Sequence, residues 1–234
     1  MSRRWIIVSV VVAVLAIVAF FPLRLALGLS DFKSIGFTAR QVEGSIWSGR
    51  IGELHMRSQP LGTVDVALDP FALLIGNISM TFSRLGSPEG PLDGRLVAGF
   101  TRGLIDTSGR IAVGDMFAPL PIAALELDKV TIKFRDGRCE QASGTVRPII
   151  AAPIPGLTFD PGLAGTVQCD GPRARVGMAT PSGAERLEFY VSDSGQYRGW
   201  MSVRNSQPDI AGALSLFGFR PSPQGMTLTV DGRL

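Results

Sequence analysis

A chain of 234 residues has room for one domain of ordinary size and an appendage. Glycine takes 28 positions, well above its usual share of roughly 7%, and lysine occurs only at Lys33, Lys129 and Lys133; this turn-rich composition speaks against a mainly helical body. The formal charge of +3 resides in Arg3, Arg4 and Arg24, ahead of the first acid; beyond them bases and acids balance, and a neutral body without a basic run speaks against nucleic-acid binding.

Trp5 to Phe21 (WIIVSVVVAVLAIVAFF) carries no charge, and Ser9 is its one polar residue. Seventeen helical residues span about 25 Å, and a few of those that follow would bring the run to the roughly 30 Å of a bilayer core. Arg24 is placed to snorkel to the far headgroups. Arg3 and Arg4 before the run put the N-terminus in the cytoplasm and the body on the other side. A cleaved signal peptide is the competing reading, but its apolar region is usually 7–15 residues and ends in a small-x-small site. This run ends in Phe20-Phe21-Pro22, which favours an anchor. The expected division is therefore residues 1–29 as stub and anchor in contact with lipid, and residues 30–234 as an exported domain.

Val42 to Met56 (VEGSIWSGRIGELHM) sets one indole, Trp47, among small residues: Gly44, Ser45, Ser48, Gly49 and Gly52. The pattern predicts a strand whose backbone passes close to its neighbours, with the indole buried and its N–H bonded. From Leu61 to Asp69, Val64, Val66 and Leu68 alternate with Thr63, Asp65 and Ala67, as in a half-buried strand. Pro70 to Ile75 is too short for a stable helix and predicts one or two turns ended by Gly76. Ile78, Met80 and Phe82 resume the alternation; Leu96–Phe100 and Leu104–Thr107 predict two weaker, glycine-broken strands. Met116 to Ala124 predicts a short helical turn. Leu125 and Leu127 alternate in one phase and Val130, Ile132 and Phe134 in the other, so a β-bulge is expected at Asp128-Lys129. Asp136-Gly137 signals a hairpin, and Pro148 to Gly162 an extended connection. The last third reads as a meander, interrupted by one helix at Pro208 to Phe217 with Ile210, Ala213, Leu214 and Phe217 on its inner face.

About ten short strands, each with one apolar face, require either a sandwich or barrel, or a strongly curved sheet closed over its concave side. The many glycines favour curvature.

Candidates for chemistry are few. His55 is the only histidine, so it cannot head a histidine metal site, and beside Met56 on a strand it reads as structural. No nucleophile pattern, phosphate loop or carboxylate pair marks an active site. No catalytic, metal or cofactor-binding residue is expected, and no cofactor. Cys139 and Cys169 are the only cysteines; in an exported body they admit one disulfide, since Cys139 follows the Asp136-Gly137 turn, Cys169 precedes Asp170-Gly171, and antiparallel pairing of those strands would bring them together. Two buried thiols are the alternative.

The segment GSIWSGR followed by IGEL resembles the Gly-Thr/Ser-hydrophobic-Trp-x-Gly signature of the protein N family of type II secretion systems (general secretion pathway protein N). The likeness continues through VDVALDPFALLI and Gly76, through MFAPLPIAAL at Met116 to Leu125, and through Ala164-Gly165 and the C-terminal hairpins, so that it covers nearly the whole chain. Asp65 departs from it, standing where the family often has Arg or Lys. The resemblance implies an all-β domain built on an elongated, curved antiparallel sheet with short interspersed helices, similar to AsmA-like periplasmic proteins. It further implies a single-pass protein of the bacterial inner membrane with a periplasmic body. Its role would be that of a non-enzymatic component or accessory of type II secretion, with partners among the inner-membrane platform or periplasmic components of the machinery. A lipid-handling protein whose concave face holds acyl chains is the alternative.

Overall fold

A computed structural model describes residues 3–29, 36–56, 59–84, 86, 90–150, 162–204 and 208–233. The expected connection at Pro148 to Gly162 falls mostly outside them.

Two helices lead. α1 (Arg3–Ala19) has 17 residues, and α2 (Leu23–Leu29) follows after a break. The expected extension of α1 through the next residues does not occur. Pro22 lacks an N–H and disfavours helical geometry at Phe21, so the apolar segment ends there and Pro22 makes an isolated β-bridge to Ser45. Among the described residues, no helix is long and apolar enough to cross a membrane.

The rest is one antiparallel sheet of 15 strands, more than the roughly ten expected. β1 (Phe37–Thr38) and β2 (Gln41–Ser45) share the outer edge of β3 (Ser48–Met56). A meander then runs through β4 (Gln59–Leu68), β5 (Asn77–Arg84), β6 (Leu92–Gly99), β7 (Thr101–Ala112), β8 (Ile122–Arg135), β9 (Arg138–Ile150), β10 (Ala164–Asp170), β11 (Arg173–Ala179), β12 (Glu185–Val191) and β13 (Gln196–Val203). β15 (Gly225–Arg233) pairs with β13, and β14 (Arg220–Ser222) closes the far edge. α3 (Pro70–Leu74) joins β4 to β5, a 3-10 turn (Gly114–Phe117) joins β7 to β8, and α4 (Pro208–Leu216) precedes β14. The weak strands expected around Leu96 and Leu104 are in fact long: β7 has 12 residues, and its glycines sit where the strand must bend rather than where it ends.

The phase slip at Asp128-Lys129 is a bulge. The β8–β9 register shifts between Asp128 and Thr131, and Lys129 has φ +49°. Opposite it, β7 has a second bulge at Asp106 (φ +47°). The two are bonded crosswise: Asp106 N–H donates to Thr131 Oγ1 (3.0 Å) and Lys129 N–H to Ser108 Oγ (3.0 Å). Paired bulges sharpen the local twist.

That twist is part of a curl. Phe117, beside β8, packs on Phe189 of β12 with ring centroids 4.9 Å apart and on Tyr197 of β13 at 5.2 Å. In a flat sheet β8 and β12 would lie about 19 Å apart. Tyr197 O–H also donates to Met116 O. The curl encloses a large core that includes Val130, Val146, Val167, Leu187, Met201, Leu214, Phe219 and Leu228. A smaller core of Leu23, Ile51, Leu54, Leu61, Val64 and Val66 lies under the first hairpins, and Ile111 touches both. On α4 the inner face differs from expectation at one residue. The chain reverses at Gly218 (φ +89°), which leaves Phe217 47% exposed and turns Phe219 inward instead.

Because every neighbour is antiparallel, the connections alternate between two rims. The turns at 46–47, 69–76, 99–100, 136–137, 171–172 and 192–195 share one rim, where α1 also ends.

Candidate functional site: the first hairpin and the N-terminal helices

The β2–β3 hairpin is built to receive the chain that follows α1. Ile46 and Trp47 form its turn, so the indole sits at the tip of the hairpin rather than inside a strand, and it is half-buried rather than buried. Its N–H does find a partner: Nε1 donates to Val18 O at 2.9 Å. Val18 belongs to the last turn of α1, and its carbonyl accepts both this indole N–H and, at 3.3 Å, Phe21 N–H. Two backbone bonds continue the seam: Ile46 N–H donates to Phe21 O (3.1 Å) and Leu68 N–H to Ile46 O (2.9 Å). The end of α1, the hairpin tip and the end of β4 are thus tied in one row.

The glycines of the motif make this approach possible. Gly44 has φ +83°, and a Cβ there would lie 2.5 Å from Ser48 O. A Cβ on Gly49 would meet Leu23 Cδ2 at 2.5 Å and Ser45 O at 2.8 Å. Leu23 of α2, 4% exposed, fills the space that the missing side chain leaves. Gly52 is buried opposite Gln41 in β2. The motif residues Gly44, Trp47 and Gly49 therefore converge on one junction, with Gly52 one turn of the ladder away.

Among the expected anchor flanks, Arg3 opens α1 with Arg4 beside it. Arg24 lies exposed on α2, at a cleft shared with Leu27 and the β1–β2 edge at Phe37 to Glu43. Asp65 lies opposite Arg50 in the β3–β4 ladder, and Arg50 Nε and Nη2 reach its two oxygens at 2.6 and 3.2 Å. The Arg50 hydrogen bond holds the Asp65 carboxyl below its ordinary value of 3.8. The departure from the family pattern at Asp65 is thus absorbed by a cross-strand ion pair. His55 sits on β3 with Nδ1 2.9 Å from Glu53 O.

Cys139 and Cys169 are joined, with Cα atoms 5.6 Å apart. The bond is not set by facing ladder positions. Gly165 pairs with Val146 and Thr166 with Thr145, a register that would place Cys169 opposite Ala142. Instead the tight turn after Cys169 folds back on Cys139, whose N–H donates to Pro172 O at 3.1 Å.

Among the described residues, no group of three or more His, Cys, Asp or Glu side chains gathers as a metal site would require. What sequence reasoning missed is the surface of the rim: α3 has no buried residue, and Phe71, Leu74 and Ile75 stand in solvent with Phe100 beside them.

No curated protein and no solved structure matches the chain. The family model for the type II secretion system protein N matches residues 36–229, from just before β1 into β15. With the signature tryptophan, its glycines and the continuous β meander all inside that match, the chain belongs to the type II secretion system protein N family.

Proposed function

We propose that the protein is a non-enzymatic inner-membrane component of the type II secretion system that helps folded proteins leave the periplasm across the outer membrane. The family match over residues 36–229 carries this reading. In it, residues 1–29 hold the chain in the inner membrane with Arg3 and Arg4 on the cytoplasmic side, and residues 30–234 form a periplasmic β domain. An anchor role for α1 is supported by its surface. Trp5, Ile6, Val8, Val12 and Ile17 are all largely exposed, and a helix with no polar face needs an apolar medium. Partners are other secretion components of the platform or periplasm, and the sheet edges at β1–β2 and β14 suit strand addition by such β-rich domains.

The test compares a deletion strain with strains carrying Trp47→Ala or His55→Ala. Secreted enzymes are measured in medium and periplasm. The deletion is expected to leave them folded in the periplasm; Trp47→Ala should share the defect by loosening the junction, and His55→Ala should not. Unchanged secretion in the deletion, with altered envelope lipid composition, would replace this reading by the lipid-handling one.

A further inference from the structure

Among the described residues of the body, the rim where α1 ends carries the largest run of exposed apolar side chains. Phe71 is 76% exposed, Leu74 82%, Ile75 70% and Phe100 75%, and Ile78 at the start of β5 is exposed as well. From Pro70 to Gly76 no residue bears a charge. Phe100 is held over this turn, since a Cβ on Gly76 would lie 2.8 Å from its ring. Patches of this kind on a soluble surface mark a site where something else covers them.

Three observations identify what covers this one. The first is position. Phe21 O accepts from Ile46 N–H, and Ile46 O from Leu68 N–H, so α3 starts about two strand spacings, roughly 10 Å, from the end of α1. Phe20, 81% exposed, continues the apolar surface from α1 toward the rim. The second is length. The uncharged part of α1, Trp5 to Ala19, spans about 22 Å, short of the roughly 30 Å hydrocarbon thickness, so anchoring by α1 draws the rim against the apolar boundary. The third is backbone satisfaction. Phe71 N–H donates to Asp69 Oδ1, Ile75 N–H to Ala72 O and Gly76 N–H to Leu73 O; Phe100 and Thr101 N–H both donate to Asn77 Oδ1, and Pro70 has no N–H. With these five donors paired inside the protein, fewer polar groups are stranded when the loop meets the boundary of headgroups and acyl chains.

We propose that the Pro70–Ile75 turn, with Phe100, is a second membrane element that seats this rim in the leaflet from which α1 emerges. Such an element sits about 5–10 Å into the boundary of headgroups and acyl chains. The proposal rests on α1 being a membrane anchor. With two points of attachment, the sheet stands on the membrane by its rim and does not swing about a single tether.

The experiment uses the full chain in phospholipid vesicles at a low protein-to-lipid ratio. Leu74→Cys is labelled with an environment-sensitive fluorophore, the native cysteines being engaged in their disulfide. Leu216→Cys is the control: Leu216 is 89% exposed and lies beyond β13 on the opposite rim. The Leu74 probe is expected to emit further to the blue and to be quenched severalfold more by phospholipid spin-labelled near the headgroup than the Leu216 probe. Aqueous iodide should quench it severalfold less. Equal iodide quenching at both sites, in chain that resists alkaline carbonate washing, would overturn the rim proposal while leaving the anchor intact. Leu74–Leu74 cross-linking without lipid quenching would overturn it in favour of a second copy of the chain. Release of the unaltered chain by carbonate would instead remove the anchor reading, and the rim proposal with it.

Discussion

Gly49 carries the sharpest single-residue prediction. In Gly49→Ala the new methyl group meets Leu23 Cδ2 and Ser45 O. Leu23 Cδ2 is the end of a side chain packed in the smaller core, and the Ser45 carbonyl is fixed by the hairpin register, so neither gives way freely. A loss of about 1–3 kcal/mol is expected, as for overpacking elsewhere. Urea denaturation should show it. Trp47 was legible in sequence as the residue around which its neighbours are small. Its setting was not, because the carbonyl that receives its N–H lies 29 residues earlier, in a helix that any local pattern treats as separate. The compensation of Asp65 by Arg50 was hidden for a related reason: both residues stand in the sequence, but only the β3–β4 register sets them opposite each other.

Among the elements, the β9–β10 pair joins a short ladder to a shared apolar core and a covalent bond. Only two residue pairs form its ladder, against seven between β10 and β11. The disulfide across a separation of 30 residues supplies about 3–4 kcal/mol in the chain-entropy account. Cys139→Ser/Cys169→Ser should therefore lose about that much in denaturant titrations, and the native chain should match the variant once reduced. Period-two alternation made β4 readable, and the switch of phase in β8 made its bulge readable, since each follows from side chains alternating across a strand. The facing bulge at Asp106 was not readable, because glycines on either side erase the alternation in β7. The turn at Pro70 to Ile75 and its glycine stop were legible too. Its outward-facing apolar side chains were not, since periodicity cannot separate an apolar turn that packs from one that does not.

At the scale of the molecule, the order of strands was legible and the curl was only half so. Many glycines pointed to curvature, but which strands meet across it depends on where the bulges fall. Phe117 is the ring that closes the curl, against Phe189 and Tyr197. Phe117→Ala should cost about 3–5 kcal/mol, and amide exchange should quicken in β12 and β13 more than in β3 and β4, which belong to the other core. The meander has a further consequence for how the chain comes to be folded. Most strands find a partner in the segment made just before them, so the sheet can assemble in chain order, with the first hairpin as its starting template. Such local pairing costs little loop entropy. The contacts across the curl are exceptions, among them Met116–Tyr197, 81 residues apart, and Phe117 with Phe189 and Tyr197. Until β12 and β13 have been made, the first eight strands wait as an open scroll with the Phe117 ring uncovered. That interval is when the growing chain is most exposed to proteases and to chaperones that bind apolar surface.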